Sequence, residues 1–184
     1  MSTPQALETL PHHVCPGLRL IFIGYNPGLE SARQGHYYAF RGNVFWRQLN
    51  EAGLVAREVS HVDDGALMDE AGIGFTDLCC RPTAKANELT KLELAEGANR
   101  LLTELDVNQP IYAVFSGKGI YEVFAKSALG VPSNDVKGRP YGPQPERIGA
   151  TVPYVIPSSS GLASKWHAER LTLLQDLAAM IQMP

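Results

Sequence analysis

A mostly apolar run over residues 18–23 ends abruptly in Gly24-Tyr25-Asn26-Pro27-Gly28, and this junction restricts the possible folds more than any other stretch. A short apolar run closed by turn residues reads as a strand buried on both faces, the kind that a parallel sheet between two helical layers needs. Pro27 cannot donate to a ladder, and Gly24 and Gly28 permit backbone approaches that a side chain would forbid. Asn26 is left at the carboxyl end of the strand, where ligand crevices open in parallel α/β sheets. On its own, N-P-G is also an ordinary turn.

Similar short runs stand at residues 73–78, 111–115 and 152–156. Helical signals alternate with them. Residues 44–52 carry apolar positions at Val44, Phe45, Leu49 and Ala52, with Asn43 as the expected N-cap and Gly53 as the stop. Residues 63–70 read as a short helix. Thr90 and Glu93 form a capping box ahead of Leu94, Ala98, Leu101, Leu102 and Leu105 at helical spacing. Ser116-Gly117-Lys118-Gly119 opens an amphipathic segment that runs to Gly130, and it lacks the full phosphate-loop pattern. Residues 131–150 are rich in Pro and Gly and read as a surface loop. The last helix spans residues 166–183, with Leu171, Leu174, Leu177, Ala178 and Ile181 on its apolar face and Arg170 on its polar side. Four strands alternating with helices predict a three-layer α/β/α sandwich around a four-stranded parallel sheet. One domain over residues 1–184 suffices for this length, with residues 1–16 loosely ordered.

Composition removes several alternatives. Three cysteines, Cys15, Cys79 and Cys80, show no metal-like spacing and suit reduced, mostly buried thiols. The five histidines form no ligand motif, and His12-His13 reads as a solvated segment. No apolar stretch approaches the roughly 20 residues of a membrane span, and residues 1–16 lack a signal core, so a soluble cytoplasmic protein is expected. A formal charge of −3 and a pI near 5.9 do not advertise nucleic-acid binding. A local cluster is enough to grip a few phosphates, however, and Arg33, Arg41, Lys85 and Lys165 fall in or beside the candidate loops.

Several separated motifs share one resemblance. Gly24-Tyr25-Asn26-Pro27-Gly28-Leu29, the aromatic and glycine-punctuated stretch 35–43, Gly72-Ile73-Gly74-Phe75-Thr76-Asp77, Arg81-Pro82-Thr83 and Pro157-Ser158-Ser159-Ser160-Gly161-Leu162 together resemble the mismatch-specific uracil/thymine-DNA glycosylases, in unbroken order from about Arg19 to the C-terminus. The resemblance implies a four-stranded α/β/α fold and an enzyme that flips a base out of duplex DNA and holds it against a flat face. It casts Asn26 as the catalytic asparagine, Tyr38 as the stacking ring and Tyr25 as the pocket floor. Backbone N–H groups near Asn26 and Tyr38 would face the pyrimidine oxygens, with Ser31 near the 5-position. Ser158-Ser159-Ser160 is similar to the thymine-directed branch, whereas Gly161-Leu162 is similar to the uracil-directed one. Ser158 and Ser160 would meet the substrate, Leu162 would fill the gap left by the flipped base, and Gly161 and Lys165 would contact the widowed guanine or nearby phosphates. Phe45 and Trp46, on a helix, read as core.

Asp77 departs from the resemblance, because comparable chains carry a non-acidic residue there. A neutral amide such as that of Asn26 can orient water but is a poor general base, whereas a carboxylate at the end of the second strand could activate that water. The same Asp77 could instead cap the following turn. The expected activity is hydrolytic removal of uracil opposite guanine, with thymine and other modified pyrimidines as further substrates. The partner would be duplex DNA carrying G:U or G:T mispairs, bound by a monomer at the bacterial nucleoid without metal or cofactor. A noncatalytic mismatch binder and a hydrolase of free nucleosides are the rival readings. If Leu162 is the wedge, Leu162→Ala should slow excision from paired duplex far more than from single strand, because only the duplex must be held open. Equal losses in single-turnover assays on the two substrates would remove that role.

Overall fold

The computed structural model describes residues 9–182, the side chain of Leu162 excepted. The strands are β1 (Leu20–Gly24), β2 (Ile73–Asp77), β3 (Tyr112–Phe115), β4 (Gly142–Pro143) and β5 (Val152–Val155). They form one sheet in the order β2-β1-β3-β5-β4. All pairings among β1, β2, β3 and β5 are parallel, and β4 runs antiparallel to β5. The parallel part is the four-stranded sheet expected. β4 is an addition of two residues inside the segment read as a loop, where Gly and Pro carry no strand signal. It sits at the sheet edge, where Pro143 is tolerated.

The helices are α1 (Leu29–Gln34), α2 (Phe45–Glu51), α3 (Leu67–Ala71), α4 (Lys91–Asn108), α5 (Lys118–Leu129), α6 (Ser133–Lys137) and α7 (His167–Gln182). Alternation along each strand sends side chains to opposite faces. Leu20, Phe22, Phe75, Val114 and Tyr154 join a core with Phe45, Leu49, Leu67, Leu174 and Leu177 on α2, α3 and α7. Ile21, Ile23, Ala113, Phe115 and Val155 join the opposite core with Ala98, Leu101, Leu105 and Phe124 on α4 and α5. Three layers result. The capping box of α4 is present, with the Thr90 side chain accepting from Glu93 N–H. Asn43 lies one residue ahead of the α2 cap, yet its Oδ1 still accepts from Phe45 N–H at 2.9 Å.

Two expectations change. Of the segment 1–16 expected to be loosely ordered, residues 1–8 lie outside the described residues, whereas from Leu10, which is buried, to His13, which exchanges backbone hydrogen bonds with Phe75 at 3.0 and 2.9 Å, the chain is held. This bridge covers the outer edge of β2. Gly74 makes room for it, since a Cβ there would fall 2.3 Å from the His13 carbonyl oxygen. Arg170 is not on a polar face: it is 1% exposed. Its Nε donates to Gln48 Oε1 at 2.5 Å and its Nη1 to the Ser158 carbonyl. Burial lowers its pKa to about 10, with nearby Arg47 adding to the effect.

Gly97 tests how closely α4 seats on the sheet layer. A Cβ there would lie 2.1 Å from the Leu78 carbonyl oxygen, so Gly97→Ala should lower stability by about 1–3 kcal/mol although alanine favours helix by about 1 kcal/mol. Urea denaturation of the variant checks this. A higher midpoint would show that the helix stands off the strand end.

Candidate functional site

Parallel order brings the carboxyl ends of β1, β2, β3 and β5 to one edge, and a cleft of about 800 Å³ opens there. Asn26, Asp77, Tyr25, Ser31, Tyr38, Ser158 and Ser160 all line it. Gly161 and Lys165 stand outside the lining, in a 3₁₀ turn over Gly161–Trp166 that also contains Leu162. Lys165 is exposed, with its Nζ 5.1 Å from the Trp166 ring. Sequence reasoning named the loops after the first, second and fourth strands. The third strand contributes as well, through Ser116, Gly117, Gly119 and Ile120, and so does Phe40, 59% exposed on the lining. The strand-terminal position of Ser116 was the available signal for that loop. The stretch 35–43 already flagged Phe40 by its aromatic content.

At the centre, Asp77 closes β2 opposite Gly24 of β1. Its Oδ1 occupies the space over Gly24, where a Cβ would lie only 2.2 Å away. This packing explains the glycine. Among the described residues no protein donor meets the carboxylate; the Asp77 carbonyl, by contrast, accepts from Arg100 Nη2. The capping role therefore has no geometric basis here. Burial pushes the Asp77 carboxyl up to about 7, and the positive charges of His12 and Arg100 hold it from rising further.

Asn26 is oriented by its neighbours. Its Nδ2 donates to the Arg81 carbonyl at 2.8 Å, to Thr83 Oγ1 at 2.7 Å and to Pro27 O at 3.3 Å. Because carbonyls only accept and the Thr83 hydroxyl donates to Lys85 O at 2.9 Å, these partners fix which end of the amide is nitrogen. Oδ1 is the atom left to offer, as an acceptor.

Tyr38 packs face to face on Phe45, with ring centroids 4.1 Å apart and an interplanar angle of 17°. One face is thus covered. Its hydroxyl lies 3.1 Å from Ser116 Oγ, and burial, with Asp77 adding, pushes its pKa up. Its φ of 53° is unusual for a residue with a Cβ, a local strain of the kind that collects at working sites. The surrounding loop is pinned by buried Asp64, whose carboxylate accepts from Tyr37 N–H at 2.9 Å and lies 3.0 Å from His36 Nδ1 and 3.4 Å from His13 Nε2. Burial opposes ionisation of Asp64, but these partners prevail and keep its pKa low. His13 is accordingly part of the structure, not a solvated segment. Ser31 Oγ accepts from Ala39 N–H at 3.2 Å. Ser158 Oγ accepts from Ser160 N–H at 3.3 Å. Lys118, the remnant of a phosphate-loop pattern, rests its Nζ 4.4 Å from the Tyr141 ring. Among the described residues no group of three or more His, Cys, Asp or Glu could hold a metal ion, and no helix is long and apolar enough to cross a membrane.

A mostly parallel α/β/α sheet with an aromatic-walled cleft at its strand ends, holding a desolvated carboxylate and an oriented amide, belongs to the open α/β class, whose ligand crevices lie at the carboxyl ends of the strands. The chain belongs to the uracil DNA glycosylase superfamily, whose family model matches residues 11–180. It is 34% identical over 181 residues to the "G/U mismatch-specific uracil DNA glycosylase" of Schizosaccharomyces pombe, an overlap of 96% of this chain and 54% of that protein. The chain thus spans about half the length of this curated relative. The solution NMR structure of a candidate uracil DNA glycosylase from Methanosarcina acetivorans superposes with a TM-score of 0.62 at 18% identity, covering 97% of this chain and 99% of that one. That second likeness speaks for the fold.

The buried carboxylate should cost stability. A folded pKa near 7, above an unfolded value near 3.8, means that the folded state holds the proton more tightly. The favourable contribution is then complete below about pH 4 and is lost as pH rises through about 7. Asp77→Asn should therefore be more stable than the native chain at pH 8, by about 1–4 kcal/mol, with the gap closing towards pH 4. Thermal unfolding at the two pH values checks the sign, which a capping carboxylate would reverse.

Proposed function

We propose that this chain is a monofunctional DNA glycosylase that flips out uracil mispaired with guanine and hydrolyses its N-glycosidic bond, leaving an abasic site. Thymine and other modified pyrimidines opposite guanine fall within the same proposal. The observation that carries it is the position of Asp77: a carboxylate that no protein donor meets among the described residues, in the same cleft as Asn26 and Tyr38. Family membership and the name of the S. pombe relative support the substrate class.

In this reading the flipped base lies against Tyr38, whose far face is backed by Phe45. Water sits between Asp77 and Asn26 Oδ1. As the bond from C1′ to the base nitrogen lengthens, positive charge grows on the sugar and negative charge on the base. Asp77 takes a proton from the water as its oxygen bonds to C1′, and the base departs as an anion towards the backbone N–H groups of the Asn26 and Tyr38 loops. A carboxyl group with a pKa near 7 is well matched to this work, because it is substantially ionised at neutral pH yet basic enough to accept the proton. Among the described residues lining the cleft there is no lysine, so a strand-cleaving route through an amine nucleophile finds no support. A pure mismatch binder gives no reason to retain so costly a carboxylate.

Free-base release should be measured from uracil opposite guanine in duplex, from single-stranded DNA and from deoxyuridine. Duplex release is expected to dominate, with a single-turnover rate that rises with pH through about 7. Asp77→Asn should flatten that rise and slow release by about 10²–10⁴-fold. Release from the nucleoside alone would favour the nucleoside hydrolase, tight mismatch binding without release would favour the binding protein, and an unchanged rate in Asp77→Asn would remove this residue from the chemistry.

A further inference from the structure

Cys80, His12 and Glu104 meet outside the cleft lining, on the side of β2 that faces α4. Thr76 Oγ1 donates to Glu104 Oε2 at 3.0 Å, and Arg100 Nη1 donates to the same oxygen at 3.0 Å. The other oxygen, Oε1, is left for His12 Nδ1 at 2.7 Å. This carboxylate orients the ring, and His12 Nε2 then stands 3.4 Å from Cys80 Sγ. A thiol facing an imidazole whose second nitrogen is held by a carboxylate is the arrangement that activates nucleophilic cysteines. Cys80 is half-buried and the His12 side chain is 31% exposed, so small reagents can reach the pair.

We propose that Cys80, His12 and Glu104 form a second chemical site, an imidazole-paired thiolate that hydroperoxides oxidise to a sulfenic acid. In this step the Cys80 sulfur attacks one peroxide oxygen, an S–O bond forms and the O–O bond breaks. The sulfur loses two electrons, the departing oxygen gains them, and that oxygen takes the Nε2 proton of His12 to leave as water or an alcohol.

The charges around the pair are consistent with this chemistry. Hydrogen bonds from Cys80 and Glu104 raise His12 to about 9, against burial and the opposing charge of Arg100, whose Nη1 lies 3.3 Å from His12 Nδ1. The His12 hydrogen bond lowers the Cys80 pKa, with Arg100 adding to the effect and burial and Asp77 opposing it. The neighbouring cysteine has the opposite environment. Cys79 is 4% exposed, its Sγ donates to the Glu93 carbonyl, and burial first, then Glu93, push its pKa up to about 11. Two adjacent thiols therefore differ in reactivity because one turns into the core and the other towards an imidazolium. All three cysteines are free thiols, as expected, but only Cys79 is buried; Cys15 and Cys80 are half-buried.

The test uses the full chain, hydrogen peroxide as oxidant and dimedone as the trap for sulfenic acid, with fragment-resolved peptide mass spectrometry to separate Cys79 from Cys80. In the native chain at pH 6.5, Cys80 should be labelled about 10-fold or more faster than Cys15 or Cys79. His12→Gln should slow Cys80 labelling by about 10-fold at that pH, with the difference shrinking above pH 9, where any accessible thiol ionises. Circular dichroism checks that the variant folds. Cys15 labelling as fast as Cys80 in the native chain would overturn the proposal without recourse to any variant, and a folded His12→Gln with unchanged Cys80 labelling would overturn it too. Base release plays no part in this assay, so the outcome is independent of the glycosylase reading.

Discussion

The site depends on one contact between adjacent parallel strands. Asp77 Oδ1 fills the space over Gly24, at the last register position shared by β1 and β2. Any side chain at Gly24 would displace the carboxylate, and any outward shift of β2 would hydrate it. Burial is what raises the pKa of Asp77, so the pairing of the two strands sets its proton affinity. Arg100 helps to hold the strand end by donating to the carbonyls of Asp77 and Leu78. Its positive charge also opposes the rise that burial imposes on the carboxyl.

Polar anchors tie the loops around this contact to one another. Asn26 ties the β1 loop to the β2 loop through Arg81 and Thr83. Asp64 holds the aromatic stretch through the Tyr37 N–H and His36. Arg170 reaches from α7 to the Ser158 carbonyl while Gln48 of α2 bridges Arg170 Nε and the His167 carbonyl. Val44 N–H donating to Ser159 O joins the β5 loop to the start of α2. Such networks cost more than apolar contacts when incomplete. In return they specify where each strand-end residue stands, which a ligand cleft needs.

Much of this was legible in the sequence because the local and global signals agree. The four parallel strands, the Thr90 capping box and the apolar stripe of α4 follow from period and caps alone, and the residues at strand ends fall on one edge once the sheet is parallel. The missing parts lack a local signature. β4 is two residues long and consists of Gly and Pro. Arg170 reads as a surface residue because a guanidinium usually is one, and its burial is explained only by Gln48 and Ser158, 122 and 12 residues away. His12 and His13 look like a solvated pair until the chain crosses the edge of β2 and brings one to Glu104 and the other to Asp64. Ser116-Gly117-Lys118-Gly119 lacks the full phosphate-loop pattern and so suggests no site by motif, although its place at a strand end puts Ser116 and Gly117 in the cleft.

The central claim is that Asp77 is a desolvated carboxyl group whose proton affinity suits it to activate water. The most direct test is a carbon-13 NMR titration of the aspartate carboxyl carbons in the free protein, with Asp77→Asn to assign the signal. The account predicts a carboxyl signal that titrates near pH 7 and disappears in the variant. An Asp77 signal that titrates near pH 4, with the other surface aspartates, would contradict it.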